Sequence, residues 1–422
     1  MLPGTGTAHA DAIRDLEWGV DGVRAPQAWG TTQGRGITVA VLDTGVDGSH
    51  PDLNGQVLAG KDFIGFGAGK GDDSWARHGT AMAGIIAAHG HGAGGGDGVR
   101  GVAPAARILP VRVILEDNDP KRKRAREERG GALAEGIRWA ADHGADVINL
   151  SLGDDSKTAH PEPSEDAAVQ YALKKGVVVV ASAGNSGSKG DRISYPAAYP
   201  GVIAVTAVDR DGKRADFSTR RWYATVAAPG VDVVIADPDR NYYEGWGTSA
   251  ASAFVSGVAA LVRSANPDLS PHQVKQLLQD TARRTPSGGR SDALGTGVVD
   301  AGAAVREAVR MKPQPQQPQA APVKQRYFGA GPVTDTPQDA TGPGPREIGW
   351  GAAGVGLLVG AYLLWRRPVT DRTAPAGGGP LPVIPAPAAH QQTPPPPASP
   401  PPAGQTAAPA RLPSSGGAEE TP

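Results

Sequence analysis

Cysteine is missing from all 422 residues. Its absence excludes disulfides, thiolate metal sites and a cysteine nucleophile together, and leaves the cellular compartment undecided. An excess of either charge is missing too: 42 Lys and Arg against 43 Asp and Glu leave a net charge of -1, so nothing in the balance points to nucleic acid as a partner. No His-Glu-x-x-His occurs, which leaves a zinc-dependent protease unsupported. Gly-x-Ser-x-Gly, the turn that carries the serine of α/β-hydrolases, is also absent. Asp-Thr-Gly, which aspartic proteases need in two copies that share a proton, occurs once, at residues 43–45; a chain with one copy would need a homodimer and a β-rich fold.

Glycine (59) and proline (39) are abundant instead, and unevenly spread. Much of the proline follows residue 312, which separates a fold-forming part, residues 11–311, from appendages. Within that part, residues 37–42, 108–113, 147–150, 177–180 and 202–205 are short apolar runs that read as buried strands. Helical patterns at 133–141 and 167–174 lie between some of them. The alternation predicts an α/β fold, a parallel sheet with helices on both faces. Ligands of such sheets sit at the carboxyl ends of the strands. Residues 82–88 read as an apolar helix behind His78, Ser270-Pro271-His272-Gln273 opens a capped helix, and a last helix near 300–309 closes the domain. The charge run at 116–130 reads as a solvated loop.

The two ends constrain each other. Residues 312–347, rich in Pro, Gln, Gly and Ala, read as an extended linker. Residues 348–365 carry no charge, hold Trp350 and Trp365, and are followed at once by Arg366-Arg367. That is about the minimum for a transmembrane helix, and paired basic residues mark its cytoplasmic side. Residues 366–422 then form a Pro-rich cytoplasmic tail. Residues 1–10 end in Ala8-His9-Ala10, the kind of triplet that closes a secretory signal, with no charged start or apolar core before it. The expectation is a single-pass protein of the cell membrane, its folded domain extracytoplasmic, residues 1–10 the remnant of a signal whose initiation codon lies upstream.

Gly-Thr-Ser-Ala-Ala-Ser-Ala-Phe-Val-Ser-Gly, residues 247–257, places Ser249 at the start of a small-residue apolar helix. Free amides and partial positive charge there favour a developing anion beside the hydroxyl. A serine before an apolar helix is more often an N-cap, so a base, an orienting acid and an oxyanion donor must come from elsewhere. Residues 39–45 put Asp43 at the end of a buried strand before a glycine turn, and residues 77–84 put His78 at the opening of a helix. Imidazole takes and returns a proton near neutral pH; His50, His89 and His91 compete for the role from turn-like or Gly-rich surroundings. Asn185 follows the 177–180 run, where its carboxamide can donate to an oxyanion. Together the four compose one acyl-transfer site. Ser249 attacks, His78 accepts its proton and returns it to the leaving amine, Asp43 orients the imidazole, and Asn185 with the Ser249 amide receives the oxyanion.

Asp43-Thr44-Gly45, His78-Gly79-Thr80, Ser151-Leu152-Gly153, Gly184-Asn185 and Gly247-Thr248-Ser249 resemble, in this order, the motifs of subtilisin-like serine proteases over residues 11 to about 310. With its C-terminal apolar segment and Pro-rich tail, the whole chain is similar to the mycosins, membrane-bound subtilases of type VII secretion. The resemblance implies a serine endopeptidase acting on protein or peptide substrates, associated with the secretion membrane complex. It implies that Ser151, Leu152 and Gly153 pair with an extended substrate as an edge strand. Ser182, Ala183 and Gly184 would line the pocket for the side chain before the scissile bond, with Ser194 at its base. The basic stretch 121–129 would lie near the non-prime side and favour acidic substrate residues. Many subtilases bind calcium; Asp52 and Asp97 are conceivable ligands, but no oxygen-ligand spacing is diagnostic, and no metal or cofactor is assigned. Ala81 and Ala253 stand where many subtilases carry His and Pro, neither on the proton path. A reading of another class also stays open: a docking component of a secretion complex in which proteolysis is secondary.

Overall fold

Short, mostly apolar runs rich in β-branched residues suit strands covered on both faces, and they form the centre of this molecule. A computed structural model describes residues 13–314. The strands are β1 (Thr38–Asp43), β2 (Lys61–Asp62), β3 (His89–His91), β4 (Asp97–Arg100), β5 (Arg107–Arg112), β6 (Val147–Leu150), β7 (Val178–Ser182), β8 (Ile203–Val208), β9 (Ala224–Pro229), β10 (Val233–Ala236) and β11 (Tyr242–Gly245). Seven of them make one sheet in the order β2-β5-β1-β6-β7-β8-β9, parallel throughout. β3 with β4 and β10 with β11 are antiparallel pairs.

Helices cover both faces: α1 (Trp18–Gly22), α2 (Arg77–Ala87), α3 (Arg122–Glu128), α4 (Ala132–Asp142), α5 (Pro163–Lys174), α6 (Thr248–Ala265), α7 (Pro271–Asp280) and α8 (Ala301–Ala308). Alternation along each strand sorts the core into two layers. Val39, Val41, Val147, Val178 and Val180 face the layer of α2, α6 and α8; Ala40, Leu42, Ile148, Leu150, Val179 and Ala181 face that of α4 and α5. Leu42 and Ile148 are fully buried, and burial of such a side chain contributes about 1.5–3 kcal/mol. α6 is buried almost all round. Its small residues let it lie close to its neighbours; a Cβ on Gly257 would meet Val102 at 2.6 Å. α7 has the expected capping box between Ser270 and Gln273, and the last helix starts behind the Asp300 cap, which accepts from Ala303 N at 2.8 Å.

The chain builds β1 first, goes one way to β5 and β2, then the other way through β6 to β9. Loops leaving the carboxyl ends of β1 and β6 therefore diverge, and the crevice between them is where such sheets bind ligands. Asp43 ends β1, and Ser151 follows β6 directly. The expected solvated loop at 116–130 is corrected in part: residues Arg122–Glu128 form α3. The linker, the apolar segment 348–365, the tail and residues 1–10 lie outside the described residues. Among the described residues no helix is long and apolar enough to cross a membrane.

Candidate active site

Asp43 is fully buried, a costly place for a carboxylate unless donors surround it. They do. His78 Nδ1 lies 2.8 Å from Oδ1 and 2.9 Å from Oδ2, and the Thr44 amide donates to Oδ1 at 2.7 Å. A carboxylate acceptor on Nδ1 puts the proton there and leaves Nε2 as the accepting nitrogen. The motif residues lock this arrangement. Thr44 Oγ1 accepts from the Gly79 amide at 3.1 Å, Thr80 Oγ1 from the Asp47 amide at 2.8 Å, and a Cβ on Gly79 would stand 1.9 Å from the Gly45 carbonyl oxygen. Glycine at 79 is what lets α2 approach the end of β1. Burial pulls the pKa of His78 down, but the charge and hydrogen bond of Asp43, with the charges of Glu116 and Asp117, outweigh it and hold it up to about 9. A third of the side chain, 35%, is open to solvent, so water screens part of that field.

Ser249, half-buried in the first turn of α6, donates its hydroxyl to the Ser151 carbonyl at 3.0 Å. Its own carbonyl accepts from Ser151 Oγ and Ser252 Oγ, both at 2.9 Å. Behind them Ser151 Oγ meets Asn149 Nδ2 at 2.9 Å, and Ser256 Oγ donates to Asn149 Oδ1 at 2.9 Å. Asn149, Ser151, Ser252 and Ser256 are all buried, so this network rigidly fixes the backbone of the first α6 turn. Among the described residues no hydrogen bond joins Ser249 to His78; the hydroxyl rests on the Ser151 carbonyl.

Asn185 accepts from Thr248 N at 3.0 Å and Thr248 Oγ1 at 2.9 Å through its side-chain oxygen. With that oxygen engaged, its NH2 group is the end left to donate. Gly247 beside it has φ +145, a backbone conformation that L side chains rarely adopt; a Cβ there would lie at an ordinary contact distance, 3.8 Å, from Asn185 Nδ2. Thr248 Oγ1 also accepts from Gly184 N at 3.3 Å, so one threonine ties the two loops together. The expected pocket residues converge as well. Ser182 Oγ donates to the Leu152 carbonyl at 3.3 Å, setting 151–153 beside 182–184. A Cβ on Gly153 would meet Ser194 Oγ at 2.6 Å, and one on Gly184 would meet Ser194 Cβ at 3.0 Å. Ser194 and Ala183 are both buried.

In the basic stretch Lys121, Lys123, Arg124, Arg126 and Arg129 are exposed, and some of these charges are paired locally. Arg122 pairs with Asp117 at 2.7 Å and donates to the Leu115 carbonyl, Lys123 pairs with Glu127 at 3.8 Å, and Arg124 pairs with Glu128 at 2.9 Å. The charges nearest the His78 amide are acidic: Glu116 Oε1 accepts that N–H at 2.8 Å.

Of the conceivable calcium ligands, Asp52 is already fully engaged. Both oxygens of buried Asp52 are engaged, by His91 Nδ1 at 2.5 Å, the Val99 amide at 2.9 Å and the Tyr242 hydroxyl at 2.7 Å. The loop carbonyls beside it, Gly98 and Gly95, accept from Arg14 at 2.6 and 2.7 Å. A guanidinium already stands where a metal would need those oxygens. Among the described residues no cluster of three or more His, Asp or Glu could hold a metal ion.

Residues 34–297 match the model of the Subtilase family. The chain belongs to that family. This subtilase is similar to subtilisin BL of Lederbergia lenta, 39% identical over 297 residues that cover 69% of this chain and 100% of that one. Among solved structures it is similar to MycP1 from Mycobacterium smegmatis, with a TM-score of 0.60 and 31% identity over 76% of this chain and 90% of that one. It is also similar to the MycP3 protease from the type VII (ESX-3) secretion system, with a TM-score of 0.56 and 32% identity over 72% of this chain and 90% of that one. As a subtilase the chain is a serine endopeptidase. Sequence reasoning gave no role to Thr248 or Glu116; Thr248 stood inside a motif already noticed, whereas Glu116 was one acid in a charge run.

Proposed function

We propose that this subtilase hydrolyses extended peptide segments through Asp43, His78, Ser249 and Asn185, outside the cell and anchored to its membrane, as part of type VII secretion. The observation that carries the catalytic part is the Asp43 carboxylate on His78 Nδ1 at 2.8 Å, which frees Nε2 to act as a base. On substrate binding the Ser249 hydroxyl swings from the Ser151 carbonyl toward Nε2. Its proton passes to Nε2 as the oxygen bonds to the scissile carbonyl carbon, and the new oxyanion takes hydrogen bonds from the Asn185 NH2 and the Ser249 amide. The same proton then goes from Nε2 to the leaving amine, and an acyl ester remains on Ser249. Water, deprotonated by His78, repeats the sequence and restores the enzyme.

Membrane attachment is supported by the uncharged 348–365 segment and its Arg366-Arg367 flank, and the secretion context by the likeness to MycP1 and MycP3. The test is hydrolysis of an extended peptide amide by cells making the full chain. Activity on the outer face of the membrane fraction, released to the soluble fraction by deleting 348–365, is expected. Asn185→Ala lowers kcat roughly a hundred- to a thousandfold with little change in KM, the scale of losing one oxyanion donor in a subtilisin. Activity that stays with the membrane after the deletion contradicts the anchor; an unchanged kcat in the variant contradicts the role of Asn185.

We propose further that the loop around Asp52 is held by Arg14 in place of a metal ion. EDTA and added calcium then leave the thermal midpoint unchanged, and Arg14→Ala lowers it by several degrees, about 1–2 kcal/mol for two lost charge-assisted hydrogen bonds. A midpoint that falls with EDTA and recovers with calcium overturns this.

A further inference from the structure

α2 carries the base, yet it begins without a cap of its own: Ala76 at its N-cap is left-handed (φ 57) and provides no side-chain hydrogen bond. The amides of its first turn must find acceptors elsewhere. Gly79 N finds Thr44 Oγ1 at 3.1 Å. His78 N finds Glu116 Oε1 at 2.8 Å, from the segment that follows β5. Glu116 therefore holds the backbone amide of His78 itself. A carboxylate at a helix N-terminus is also favourable to the helix.

The charges facing His78 are few. Asp43 contacts the ring from the end of β1. Glu116 and Asp117 act on it from the segment after β5. Arg122 on α3 faces the same group of acids, but its ion pair is with Asp117, whose side chain is 92% exposed. Glu116 is half-buried and has no ion pair among the described residues. Of the two outer acids, Glu116 is thus the less exposed and the one without an ion pair among the described residues, although Arg122 also acts on its charge.

We propose that Glu116 is a positioning residue for His78, which sets the place of the imidazole by holding its amide and, through its charge, the pH range over which that imidazole serves as a base. The inference rests on the reading of His78 as the general base. Glutamine separates the two effects, because it keeps an acceptor at Oε1 and loses the charge.

The experiment is kcat and KM against pH for the full chain and its Glu116→Gln and Glu116→Ala variants on one extended peptide amide. Both variants should move the acid limb of kcat/KM to lower pH by about half a unit, the effect of removing one partly screened negative charge several ångströms away. Glu116→Ala should also lose about tenfold in plateau kcat with KM little changed, as a misplaced base does. Glu116→Gln should retain most of that kcat. An acid limb unmoved in both variants, or a glutamine variant as slow as alanine, overturns the proposal. If the alanine variant does not fold, the limb of the glutamine variant decides alone. Labelling of Ser249 by a fluorophosphonate keeps the failures apart: a labelled enzyme with an unmoved limb refutes the role of Glu116, whereas an unlabelled wild type refutes the reading of the site.

Discussion

Ser249→Ala should lower kcat by about a millionfold, the scale that subtilisin sets for the loss of one triad member, while KM and the thermal midpoint stay close to wild type. The reason lies in what the hydroxyl touches. Its hydrogen bond is to the Ser151 carbonyl, 3.0 Å away, a single neutral bond of the kind worth about 1 kcal/mol. The backbone of residue 249 is held separately, through Ser151 Oγ and Ser252 Oγ on its carbonyl, and alanine keeps those bonds. The variant should therefore fold and bind peptide but not cleave it. Residual hydrolysis above the uncatalysed rate then measures the oxyanion donors and substrate binding together.

Asp43→Asn should cost about ten-thousandfold in kcat. Asp43 Oδ1 accepts from both Thr44 N at 2.7 Å and His78 Nδ1 at 2.8 Å. An asparagine that keeps the Thr44 bond puts its NH2 at the Oδ2 position, 2.9 Å from Nδ1, and so favours the tautomer with the imidazole proton on Nε2. Nε2 then cannot accept from Ser249. Removing the charge also takes away the main force that holds His78 up to about 9, so what activity remains should begin at a lower pH than in the wild type. In the wild type the same rise lies at higher pH: His78 is a base only when neutral, so kcat/KM should rise with pH through a value above the ordinary 6.5 of histidine. Combined with Ser249→Ala, the substitution should add almost nothing, because the residues act as one unit.

Much of this was legible in the residues, for identifiable reasons. β1, β5, β6, β7 and β8 are parallel strands covered on both faces, which makes them near-continuous apolar runs, broken only where a polar residue such as Asn149 has buried partners. β9 escaped notice because Ala-Thr-Val-Ala-Ala-Pro has little β-branching and ends in proline; its place in the sheet comes from pairing with β8. β3 and β4 lie in a glycine-rich stretch that Arg14 organises from far away in sequence. α3 has almost no apolar face, only Ala125 being buried, and it is tied down by Arg122 on Asp117 and the Leu115 carbonyl. The triad residues announced themselves through the motifs around them, whose glycines and threonines pack against one another. Nothing local marks Glu116 as the acceptor for an amide 38 residues earlier. Nor does sequence show which way the Ser249 hydroxyl points, because that is one torsion about a single bond.

The central claim is that Asp43 and His78 make the Ser249 oxygen a nucleophile, and covalent capture by a fluorophosphonate tests it most directly. Intact mass and peptide mapping of the full chain should show one adduct, on Ser249, forming quickly in the wild type, far more slowly in Asp43→Asn and never in Ser249→Ala. An adduct elsewhere, or one that forms as fast without the carboxylate at 43, would contradict the account.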